Sequence, residues 1–146
     1  MNTNFIWPSA KECLEHMNRK YLDDIGVTER PDTWCNDGDA RQERWKEQRE
    51  IYGFDDREVW GLDYAFYLWL YERLKMYKEI AFVDLAFHKF EYEGEELTQS
   101  ECIDRMIKGC EVYFKIEDDW NILEEDQKMI NDVTKIWAIV WPVMWW

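Results

Sequence analysis

The chain has 146 residues, with 18 Lys plus Arg against 32 Asp plus Glu, for a net charge of −14. That length suits one domain with a real core. The charge argues against a nucleic-acid binder or a ligand of anionic lipid, because such a field repels phosphates. Six Gly and three Pro are sparse punctuation, as in helical proteins. Neither a linker nor an internal repeat stands out. The first twelve residues lack a basic stretch followed by an apolar one, so no secretory signal is expected. The longest apolar run, 136–146, is broken by Pro142 and is far short of the roughly 20 residues of a membrane span. No membrane association is expected.

Ser9-Ala10-Lys11-Glu12 reads as a capping box, in which Ser9 accepts from the Glu12 backbone and Glu12 reaches back. Cys13, Leu14, Met17, Tyr21, Leu22 and Ile25 follow with helical spacing, so a first helix is predicted over 10–25, with Gly26 as its stop. Residues 26–38 are turn-rich. A second helix runs from Asp39 to Gly53. Its apolar content is thin, chiefly Trp45, Ile51 and Tyr52, so it should lie on the surface and touch the rest along one edge.

Asp55 with Glu58 has capping spacing and opens a third helix, which should fade near Val83. Val59, Leu62, Phe66, Leu70, Leu74 and Tyr77 form one stripe. Trp60, Tyr64, Tyr67, Trp69 and Tyr71 fill the other faces. Such a helix is central, and Trp60 and Trp69 are expected in the core. A strand over 66–71 is the alternative, since aromatics favour sheets. Residues 87–92 alternate and Gly94 breaks the chain, so a short extended segment or hairpin is expected there. Thr98-Gln99-Ser100-Glu101 is a second capping box. The stripe Cys102, Ile103, Met106, Ile107, Cys110, Tyr113 and Phe114 follows. A last helix opens at 121–124, with Ile122, Met129, Ile130, Val133, Ile136, Trp137, Val140 and Trp141 inward, and Pro142 ends or kinks it. The expected fold is all-α: a single domain, an irregular bundle of about five helices.

Phe54-Asp55-Asp56-Arg57, Trp60, Leu62-Asp63, Arg73-Leu74-Lys75 and Ile103-Asp104-x-Met106-Ile107, followed by the Trp-rich C-terminal helix, resemble a pattern in small proteins of tailed phages and prophages of Gram-positive bacteria. The resemblance covers about the last two thirds of the chain. It implies a phage-like context, a helical domain and the cytoplasm of a bacterial host. It carries no activity to transfer.

Candidate chemistry is thin. Cys13, Cys35, Cys102 and Cys110 show no paired ligand spacing, so neither a zinc site nor a structural disulfide is expected. A Cys13-x-x-His16 pair lacks a second ligand pair. The residues three before His16 and His88 are Cys13 and Leu85, which fails the Glu-x-x-His pattern of di-iron bundles. Neither His has the setting of a nucleophile triad, and no Gly-rich phosphate loop exists. Asp55, Asp56 and Asp63 with Arg57 read better as a helix cap and ion pairs than as a metal site. No cofactor, metal or catalytic residue is expected, and the chain does not read as an enzyme.

The acids are unevenly placed. Residues 91–126 carry thirteen acidic and three basic side chains, net −10. The leading expectation is a phage protein that binds a basic partner. Its most concrete form is an anti-CRISPR-like inhibitor of a host RNA-guided nuclease, whose positive channel an acidic domain occupies as a nucleic-acid mimic. Expected contacts are Glu91, Glu93, Glu95 and Glu96, then Glu117, Asp118, Asp119, Glu124, Glu125 and Asp126, with the two groups at opposite ends of one face. The alternative is a structural or assembly accessory, a homodimer for example, joined through Trp141, Trp145 and Trp146. Folding back of that tail onto the bundle is the favoured arrangement.

Overall fold

The computed structural model describes Leu14 and residues 16–25, 41–116 and 121–145. Among these, six α-helices and one hairpin appear: α1 (Lys20–Asp24), α2 (Gln42–Tyr52), α3 (Asp56–Trp60), α4 (Leu62–Ile80), β1 (Lys89–Tyr92), β2 (Glu95–Thr98), α5 (Gln99–Lys115) and α6 (Glu124–Val140), with a 3₁₀ turn at Trp141–Val143. The expected all-α class, with a short extended segment, is the fold observed. The chain divides into two compact units, Met1–Trp69 and Leu70–Trp146.

In the first unit, a continuous helix over 10–25 is not formed. Residues 16–19 are turn and irregular chain, and α1 starts where Asn18 Oδ1 accepts from the Lys20 N–H at 3.2 Å. Asn offers the backbone this local alternative to a helical bond. The Ser9 capping box lies outside the described residues. α2 ends as expected at Gly53, whose φ of +83° suits glycine and whose N–H reaches the Arg49 carbonyl. Trp45 is its buried edge, 2% exposed.

The predicted third helix is two helices. Asp55 caps α3 with Glu58 completing the box, and Gly61 ends it. Gly61 takes φ −113° and ψ 56°, outside the helical region. The chain re-enters a helix at once, with Ala65 donating to the Gly61 carbonyl. This break cuts the expected stripe at its start, because Val59 and Leu62 no longer share a helix line, and both are exposed. Leu70 and Leu74 of the stripe are buried as expected, together with Tyr64, Leu68 and Tyr71. Trp60 and Trp69, expected in the core, are 51% and 37% exposed. The 66–71 run is helical, not a strand.

In the second unit, α5 and α6 make the main packing. Cys102, Ile103, Met106, Ile107, Cys110 and Phe114 are buried as expected, and so are Ile130, Val133, Ile136 and Val140. Gly109 sits against the Met129 carbonyl and the Val133 side chain, where a Cβ would collide with both. Glycine here sets how closely the two helices approach. Gln99 at the start of α5 reaches Met144 Sδ beyond the end of α6 at 3.4 Å, so the helices run antiparallel. Ile122 is exposed because Leu123, not Asn121, caps α6 and leaves Ile122 outside the helix. Trp141, also expected inward, is 57% exposed.

The C-terminal backbone does fold back. Tyr77 Oη donates to the Trp145 carbonyl at 3.2 Å and accepts from Gln99 Nε2 at 3.3 Å. The ring of Trp145 nonetheless faces solvent. Cys102 and Cys110 are free and buried, and burial pushes both thiols above their ordinary range. Cys13 and Cys35 lie outside the described residues. Among the described residues no helix is long and apolar enough to cross a membrane.

Candidate functional site

The acidic residues of the hairpin fall on different faces. β1 and β2 are antiparallel, with Phe90 opposite Leu97, Glu91 opposite Glu96 and Tyr92 opposite Glu95. Alternation turns Tyr92 and Leu97 into the core and leaves Glu91 and Glu96 on the outward face. Glu93 and Gly94 link the strands with φ of +50° and +80°, as a two-residue type I′ turn requires. The turn directs Glu93 to Lys128 of α6, at 2.8 Å. Lys128 also holds Asp132 at 3.0 Å, and Asp132 accepts from the Tyr92 hydroxyl. Together these bonds tie the hairpin to α6. They lower the Glu93 pKa, mainly through the Lys128 hydrogen bond, and raise that of Lys128. Burial, then Asp132, pushes the Tyr92 hydroxyl up.

Three of the four expected hairpin contacts are therefore neutralised within the chain. Glu93 pairs with Lys128, Glu95 with Arg105 of α5 at 2.7 Å, and Glu96 more loosely with Lys89 at 3.4 Å. Among the described residues Glu91 has no such partner, and neither do Glu124, Glu125 and Asp126 in the first turn of α6. Those three favour the positive end of the helix dipole. Glu117, Asp118 and Asp119 lie outside the described residues. The Glu93–Lys128 bridge sets the hairpin turn one helical turn from Glu124, so Glu93 and the described part of the second group, Glu124, Glu125 and Asp126, lie at one end of the second unit rather than at opposite ends.

A second polar cluster, at the α2–α3 junction, was only half legible. Asp55 is 1% exposed. It accepts from the Arg57 backbone N–H at 3.1 Å, from Arg57 Nε and Nη2 at 2.9 and 2.6 Å, and from Arg49 Nη1 at 2.7 Å. Burial works to raise its pKa, but the Arg57 and Arg49 hydrogen bonds, with the charges of His16 and Arg57, hold it below the ordinary range. Trp45 Nε1 donates to Asp56 at 2.8 Å, and the Arg57 guanidinium lies 4.3 Å from the Trp45 ring centroid. Arg44 pairs with Asp56 as well.

His16 joins this cluster. Its Nε2 lies 3.2 Å from Glu58 and 3.6 Å from Asp55. The facing carboxylates assign the ring proton to Nε2. His16, Asp55 and Glu58 could in principle hold a metal, since their ligand atoms lie within 4.8 Å of one another. Their prior engagements argue against it. Two guanidiniums already occupy Asp55, and Glu58 completes the cap by accepting from the Asp55 N–H at 3.3 Å. A dication would sit beside both arginines and displace their bonds. The cluster is a clasp that ties His16, just ahead of α1, to the start of α3.

No protein-family model, curated protein or solved structure matches the chain.

Proposed function

We propose that the chain acts by binding a basic surface of another protein, through Glu91 and Glu96 of the hairpin and Glu124, Glu125 and Asp126 of α6. The observation that carries this reading is the Glu91–Glu96 pair. The two carboxylates face each other across an exposed hairpin, an arrangement that destabilises a sheet. Lys89, 3.4 Å from Glu96, offsets the repulsion only in part, and a local rule broken with so little compensation is what functional sites are expected to show. Glu93, Glu95 and Glu96 remain available to such a partner, because exposed ion pairs are worth only about 0–1 kcal/mol and a stronger cationic surface displaces their lysines and arginine.

The phage-like pattern of residues 54–107 supports a concrete form of this reading. The chain is an inhibitor of a host nucleic-acid-binding machine, such as an RNA-guided nuclease, acting in the bacterial cytoplasm. Carboxylates stand where phosphates would, in a channel built to hold a polyanion.

Affinity capture from a Gram-positive host lysate tests this. The bait is the parent chain and a variant carrying Glu91→Lys, Glu96→Lys, Glu124→Lys and Glu125→Lys, each at two salt concentrations. The parent should retain a basic partner that higher salt releases, and the variant should not retain it. A captured set indifferent to both salt and reversal would refute the reading.

A further inference from the structure

The second unit is polarised. Glu124, Glu125 and Asp126 lie where α6 begins, and the unit's exposed apolar side chains gather where α6 ends. Four hydrogen bonds bring the latter together. Ser100 donates to the Leu85 carbonyl at 2.9 Å and Gln99 to the His88 carbonyl at 3.1 Å, which sets the 85–88 turn against the start of α5. Gln99 then bonds Tyr77, and Tyr77 bonds the Trp145 carbonyl. The end so assembled exposes Met76, Ile80, Phe82, Phe87, Trp141 and Trp145, with Phe82 at 88% and Phe87 at 75%. Only Trp141 and Trp145 of this group were legible as a patch in the sequence.

We propose that this apolar end is a self-association surface on which a second copy of the chain docks, end to end, to form a dimer. Area is the first argument. The four aromatic rings alone, at about 150–250 Å² each, leave on the order of 400–700 Å² exposed at the fractions observed. With Met76 and Ile80 added, the patch approaches the roughly 800 Å² per partner of a stable interface, and it exceeds what a monomer normally leaves bare. Charge is the second argument. Two copies of net charge −14 repel, so they meet best away from the first turn of α6; the apolar end itself carries Glu79, Asp84 and Glu101 together with Lys75 and Lys78. α6 has 17 residues and is therefore about 25 Å long, which keeps Glu124, Glu125 and Asp126 several Debye lengths from the seam at physiological salt, about 8 Å each. The dimer then presents one acidic end outward from each copy. The self-association does not rest on the partner proposed for those acidic ends.

Sedimentation velocity on the full chain tests it, over a range of concentrations at low and physiological salt. The parent should pass from monomer to dimer as concentration rises, and salt should tighten the dimer by screening the like charges. Phe82→Glu and Trp145→Glu replace exposed rings, so both variants should keep the parent's circular dichroism and raise the dimer Kd at least about tenfold. Reversing Glu91 and Glu96 should leave the dimer intact, which separates this result from that of the capture experiment. A parent that stays monomeric throughout, or a dimer that both folded variants retain, would overturn the proposal. Monomers would mean that the patch serves a different partner.

Discussion

Asp55 remains charged in a buried place because four N–H donors from Arg57 and Arg49 face it. Asp55→Ala leaves the buried Arg57 uncompensated and should cost about 3–5 kcal/mol at neutral pH. Its pKa is lowered from the usual 3.8, which fixes the sign of the pH effect. The stability Asp55 contributes is complete above the unfolded value and is lost as pH falls through the lower folded value. Denaturant melts of parent and variant should therefore differ most above about pH 4 and converge in stronger acid. A gap that persists unchanged at low pH would contradict this role. Tryptophans divide in the same way. Trp45→Ala should cost about 3–5 kcal/mol, whereas Trp60→Ala, at a half-exposed ring, should stay within about 1 kcal/mol. Thermal melts that reverse this order would move the core of the first unit. The Asp55–Glu58 box was legible because both members lie within one turn. His16 was not, because it meets Glu58 across 42 residues and no periodicity spans that gap.

α5 and α6 pack at Gly109, and a methyl group there meets backbone on one side. Backbone cannot rotate away, so Gly109→Ala should force the helices apart and cost about 1–3 kcal/mol, despite the better helix propensity of Ala. A stabilised Gly109→Ala protein would mean that the two helices have slack at this crossing. The α5 stripe was legible from its spacing, since an amphipathic helix with one buried face writes its period into the chain. α3 and α4 were misread for the opposite reason. Aromatic residues on all sides hide the period, and a single Gly61 decides whether the stripe continues. The hairpin was visible as alternation and a glycine. Its register was not, and register is what sets Glu91 against Glu96 and directs Glu93 to Lys128.

Charge and apolar surface divide the second unit into two ends with different chemistry. The net −10 of residues 91–126 was legible by counting, but its further cancellation by Lys89 and Lys128 was not, because both cations lie outside that segment and reach it only through the fold. The exposed Phe82 and Phe87 were likewise hidden, since an aromatic residue in a sequence reads as core until its element is placed. What remains acidic is Glu91 with the first turn of α6, and within it the Glu91–Glu96 repulsion across the hairpin opposes folding. The most direct test is a single neutral substitution with two readouts. Glu91→Thr removes the repulsion and supplies a good strand former. The variant should melt at a higher temperature, by the equivalent of about 0.2–1 kcal/mol, while its capture of the basic partner weakens. A variant that gains stability and binds the partner as well as the parent does would show that the facing carboxylates serve no recognition, and the proposed binding surface would fall.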